Sequence, residues 1–188
     1  MALKMYTLRG LLLIAMPSLQ DPYFTRAVVM MIDHNAHGAF GLVLNRPQKN
    51  LFVSNILSDL QIPVRVDLTN EKTYFGGPVG SADVFVLHEA PFVWQGCEMI
   101  TDQIALTSSR DILEAIAVGE GPSSYRVILG SSGWVAGQLE EELKQHTWLT
   151  CPANTNLLFH TDPQQCWEGA LKNLGISEAL LSVRGGEA

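Results

Sequence analysis

Residues 11–47 read LLLIAMPSLQDPYFTRAVVMMIDHNAHGAFGLVLNRP. Three apolar runs, 11–16, 28–32 and 40–44, are continuous rather than alternating. Continuous aliphatic and β-branched runs of this length predict strands covered on both faces. Between the second and third runs stands Asp33-His34-Asn35-Ala36-His37-Gly38, a short connection with Asn and Gly. Such a connection predicts an antiparallel hairpin, since parallel neighbours need a longer crossover.

Similar runs recur at 84–87, 127–129 and 157–159, and each is read as a strand. Helices are expected between them. Ser108 and Asp111 have capping-box spacing before Ile112, Leu113, Ile116 and Ala117, and Gly119, Gly121 and Pro122 stop that helix. A second helix is expected over 136–145, with Leu139 and Leu143 on one face and Glu140 four residues before Lys144. A third opens on Asp162 and Pro163, buries Trp167, Ala170, Leu171 and Leu174, and ends at Gly175. A weaker helix covers 53–60, and 61–73 reads as a surface loop. Doubly covered strands, a hairpin and scattered helices predict an α+β fold with a mixed sheet. The whole chain, 1–188, is expected to form one domain.

The chain has 47% apolar and 16% charged residues, a core-rich composition. Its net charge of −7 disfavours duplex DNA as a partner, because basic clusters such as Lys4 with Arg9 are sparse. Cys97, Cys151 and Cys166 are odd in number and lack CxxC spacing, which predicts buried reduced thiols and no zinc site. The run 11–16 is far shorter than the ~20 residues of a membrane span. It ends at Pro17 with no A-x-A cleavage site, so a cytoplasmic protein with no membrane contact is expected.

The segment 11–47 resembles the AlgH/YqgE family of bacterial proteins. Gly76-Gly77-Pro78-Val79 followed by Phe85-Val86-Leu87-His88, the stretch 107–117, and 129–149 with its GWVAGQLEEEL core agree with it. The resemblance implies a compact α+β fold with a partly barrel-like sheet surrounded by helices. It implies a regulatory role, linked to alginate synthesis in one lineage, and no agreed catalytic residues. Two positions depart from the family pattern. Ser81-Ala82-Asp83 stand where an Arg is often found, and Ser131 replaces an aromatic residue.

Four groups of residues are candidates for chemistry. Hairpin pairing brings Asn45 and Arg46 towards Asp21 and Arg26, and carries them about 17 Å from His34 at ~3.4 Å per residue. That cluster fits an internal Arg–Asp pair with Asn45 on backbone, or a small anionic ligand held by Arg26 and Arg46. His34 and His37 read as solvated turn histidines, because a metal needs a third ligand and a fixed outer shell. His88 follows a strand, but Glu89 should point to the opposite face. The segment 130–137, GSSGWVAG, joins strand to helix, so Gly130 and Gly133 could frame an anion site. It lacks the P-loop lysine and the last glycine of GxSxG. No cofactor motif and no metal set emerges. The resulting expectation is a non-enzymatic regulatory or adaptor protein that binds a protein partner or small ligand. The alternative is a hydrolase or transferase acting on a small anionic metabolite, with Arg26 and Arg46 for charge and His88 or His34 as base.

Overall fold

A computed structural model describes residues 7–183, so Lys4 lies outside the described residues. Ten strands form one sheet: β1 (Leu11–Ala15), β2 (Val28–Asn35), β3 (Gly38–Val43), β4 (Pro47–Phe52), β5 (Lys72–Phe75), β6 (Val79–His88), β7 (Glu98–Met99), β8 (Ala105–Thr107), β9 (Tyr125–Val135) and β10 (Trp148–Pro152). The helices are α1 (Val53–Asp59), α2 (Arg110–Val118), α3 (Gln138–Lys144), α4 (Cys166–Asn173) and α5 (Glu178–Val183). The main path runs β10-β1-β2-β3-β9-β6-β8-β7, and β4 and β5 branch from β9. Every pairing is antiparallel except β5 with β9.

Strand β9 explains the curl. Its first half lies between β5 and β6, while residues Ser132–Val135 turn away to pair with β3. The change of partner occurs at Gly130 (φ +73°). Here two backbones cross in contact: a Cβ on Gly76 would stand 2.2 Å from the Gly130 carbonyl oxygen. The paired glycines of the Gly76-Gly77 block are therefore required by the close approach.

The doubly covered reading of the first strands holds. Leu12, Ile14, Met30 and Ile32 face a core shared with α4, while Leu13, Val29 and Met31 face one shared with Trp134, Leu139 and Trp148. Alternate side chains thus enter different cores, so the run is apolar at every position. The second half-sheet places Val86 and Val127 against Leu57 of α1 and Ile112 and Ile116 of α2. Phe40 and Phe85 meet edge to face across the interior at 5.7 Å. The architecture is α+β with a curled, mostly antiparallel sheet, as expected.

Several local expectations need correction. Residues 157–159 are not a strand. They belong to a π-helical turn, Asn156–His160, opened by the Asn154 side chain accepting from the Leu157 N–H. A three-residue apolar run cannot distinguish these cases by periodicity. The segment 61–73 buries Ile62 and Leu68 and ends in β5. The α2 cap is Ser109 rather than Ser108. Helix α3 starts late, because Gly137 (φ +80°) precedes it. Lys144 pairs with Glu141 at 3.6 Å, and Glu140 instead reaches His34. Asp162 caps a turn at Gln164, and α4 begins only at Cys166.

Candidate functional site

The connection from β1 to β2 is wound into a turn by its own polar groups. Asp21 Oδ1 accepts from the Tyr23 and Phe24 N–H groups at 2.8 and 3.2 Å, and the Thr25 hydroxyl donates to the Asp21 carbonyl at 2.6 Å. Arg26 closes the turn at φ +55°, and the returning hairpin strand pins it. Buried Asn45 accepts from the Val28 N–H at 3.0 Å and donates to the Arg26 carbonyl at 2.9 Å. Arg46 donates to the Thr25 carbonyl, and burial lowers its pKa. Asp21, Arg26, Asn45 and Arg46 do gather here, but no Arg26–Asp21 pair forms. The Arg26 guanidinium lies 4.2 Å from the centre of the Trp167 ring and bridges Glu168 and Glu178 at 2.9 and 2.8 Å.

This pinned turn presents Phe24 and Asp21 to a 350 Å³ pocket whose other wall is β9, α3 and the start of β10. Phe24, Trp134 and Trp148 lie pairwise 5.7–6.3 Å apart, and both contacts of Trp148 are close to perpendicular. Edge-to-face pairs are the favoured aromatic geometry. Trp134 and Trp148 are 6% and 4% exposed, and their indole N–H groups donate to one oxygen of Glu142 at 2.9 and 2.8 Å. Gln138 Nε2 donates to the other oxygen at 2.9 Å. Three donors therefore fix the carboxylate, and the carboxylate fixes both indoles. Gly133 also lines this pocket.

The remaining candidates lie elsewhere. Gly130 is a kink inside β9, so the expected strand-to-helix anion loop of Gly130 and Gly133 does not exist as drawn. The first turn of α3 carries Glu140 and Glu141, charges that oppose an anion. His88 is fully buried. Its Nδ1–H donates to the Glu89 carbonyl at 2.7 Å, which leaves Nε2 to accept from the Thr107 hydroxyl at 2.9 Å. Burial lowers its pKa, and Glu89 faces away to His160 at 3.7 Å. His37 is exposed, but His34 is not a solvated histidine: it is buried, accepts from the Leu8 N–H and bonds Glu140 at 2.9 Å. Cys151 and Cys166 are buried, and burial pushes the Cys166 thiol up to about 11. Cys97 is only half-buried, with its sulfur 4.0 Å from His88 Nε2. Among the described residues no group of three or more His, Cys, Asp or Glu is placed to hold a metal ion. No described helix is long and apolar enough to cross a membrane. A 440 Å³ hollow beside Phe85 and Leu113 contains Arg110, which is already bonded to Glu114 and to the Leu60 carbonyl.

Comparison with known proteins places this geometry. A family model described as AlgH-like matches residues 12–179. The chain belongs to the AlgH-like family. The UPF0301 protein of Alcanivorax borkumensis is 40% identical over 187 residues, 99% of each chain. That of Idiomarina loihiensis is 43% identical over 174 residues, 92% of this chain and 94% of its own. The solution structure of the AlgH protein from Pseudomonas aeruginosa superposes with a TM-score of 0.78 at 37% identity, covering 100% of both chains. A crystal structure from Corynebacterium diphtheriae, 20% identical, shares the fold with a TM-score of 0.75 over 97% of this chain and 94% of its own. In this AlgH-like chain the sequence reading found Asp21 and Gly133 but missed Phe24, Gln138, Glu142, Trp134 and Trp148 as a group. One signal was present. Glu142 follows buried Leu139 by three residues, so a carboxylate lies beside the apolar face of α3.

Proposed function

We propose that this AlgH-like chain is a non-enzymatic binding protein of the cytoplasm, a regulatory or adaptor component whose binding site is the Phe24–Trp134–Trp148 pocket. The observation that carries the reading is the pocket's preorganisation. Two indoles, a carboxylate and an amide are locked by mutual hydrogen bonds around a concavity, and a pinned turn closes one side. Small-molecule sites have this character, an apolar wall with few fixed polar groups. The anionic-metabolite enzyme draws no support from the arrangement. It needs Arg26 and Arg46 free beside a histidine base, and both are bonded within the fold, with His88 on a different half-sheet.

A ligand that binds only the folded state raises the melting temperature by mass action. A melting screen of small organic compounds against the wild type and Phe24→Ala tests the reading. Compounds that stabilise the wild type and lose that effect in Phe24→Ala support it. No stabilising compound, or equal stabilisation of both proteins, contradicts it.

A further inference from the structure

We infer that the pocket takes a small organic cation, an alkylammonium group whose positive end lies against the ring cluster from the pocket side and faces Glu142 and Asp21. The inference rests on the pocket being the binding site, and it names the chemistry of the occupant. Both carboxylates in the lining lack a cationic partner among the described residues, whereas the other close acid–base contacts are made elsewhere. Glu142 accepts its bonds from two indoles and an amide, all neutral, so its orientation is fixed and its charge is left uncompensated. The Asp21 carboxylate accepts only from backbone N–H groups among the described residues. No Lys, Arg or His stands among the described lining residues. Aromatic rings carry negative faces and attract cations, most strongly where water is displaced. An anion would meet two like charges. A hard metal ion wants six or more oxygen ligands, and three of the roughly four lone-pair sites of Glu142 are already taken by N–H donors. A volume of 350 Å³ lies at the small end of ligand sites and suits a compact cation on a short stem.

The test compares choline with its neutral isostere 3,3-dimethylbutan-1-ol, by calorimetric titration of the full chain. Choline is expected to bind at least tenfold more tightly. Gln138→Lys places a built-in ammonium four residues before Glu142 on an exposed helix position, and it should weaken choline binding at least tenfold without loss of fold. Asp21→Asn keeps the turn's acceptor while removing its charge, and should weaken choline binding a few-fold. Equal binding of the isostere overturns the cation while leaving the pocket as a site. Saturable binding by neither probe overturns both. A lysine-containing peptide that binds where choline fails replaces the small cation with a protein side chain, and so also overturns the inference.

Discussion

Asn45→Ala should be the most damaging single change to the turn that carries Asp21 and Phe24. It removes the acceptor of the Val28 N–H, which is fully buried, and the donor to the half-buried Arg26 carbonyl. An orphaned buried donor costs about 1–3 kcal/mol, and an ordinary hydrogen bond contributes about 0.5–1.5. The expected loss is therefore about 1.5–4.5 kcal/mol. At ~2–4 °C per kcal/mol for a chain of this size, the melting temperature should fall by about 3–18 °C. Arg26→Gln is the comparison. Its ion pairs are the more conspicuous contacts, but their side chains are 43%, 62% and 48% exposed, and such pairs contribute about 0–1 kcal/mol each. Urea unfolding of both variants, followed by circular dichroism, decides the order. If Arg26→Gln costs as much as Asn45→Ala, or Asn45→Ala unfolds with the wild type, the reasoning is refuted.

At the crossing of the half-sheets, Gly76→Ala should cost at least ~1–3 kcal/mol or prevent folding, since its Cβ would stand 2.2 Å from the Gly130 carbonyl oxygen. Gly133→Ala, with only Val79 at 4.0 Å, should stay within ~0.5 kcal/mol in the same denaturation assay. His88 has a folded pKa below its usual 6.5, so below that pH the unfolded chain binds a proton that the folded chain refuses. Its contribution is intact above about pH 6.5 and is lost as pH falls towards the folded value. The slope is up to ~1.4 kcal/mol per pH unit, and the pH–stability curve of His88→Gln should lack it. Arg126 is buried over Tyr74 and donates to the Leu44 carbonyl, so Arg126→Lys should cost about 1–3 kcal/mol by urea midpoint.

The fold was legible where each residue's role was local. The runs at 11–16, 28–32 and 40–44 became β1 to β3 because apolarity at every position is what two opposed cores impose. The signal failed where context decides. Residues 148–152 pair as the edge strand β10, yet Pro152 weakens the strand pattern. Gly130 looked like a loop because only the crossing with Gly76 and Gly77 reveals a kinked strand. The candidate site was half legible. Hairpin register brought Asp21, Arg26, Asn45 and Arg46 together, but could not tell that Asn45 and Arg46 serve the backbone while Asp21 turns to a pocket. Trp134 and Trp148 stand on strands remote in the sheet order, and they meet through their own ring contact, Phe24 and Glu142 of α3. That long-range convergence leaves no spacing to read.

The most direct test is the spectrum of the four tryptophan indole N–H groups during a choline titration. The account predicts that the signals of Trp134 and Trp148 shift together and saturate, while those of Trp94 and Trp167 stay in place. Unmoved Trp134 and Trp148 signals, or a response centred on Trp94 or Trp167, would contradict it.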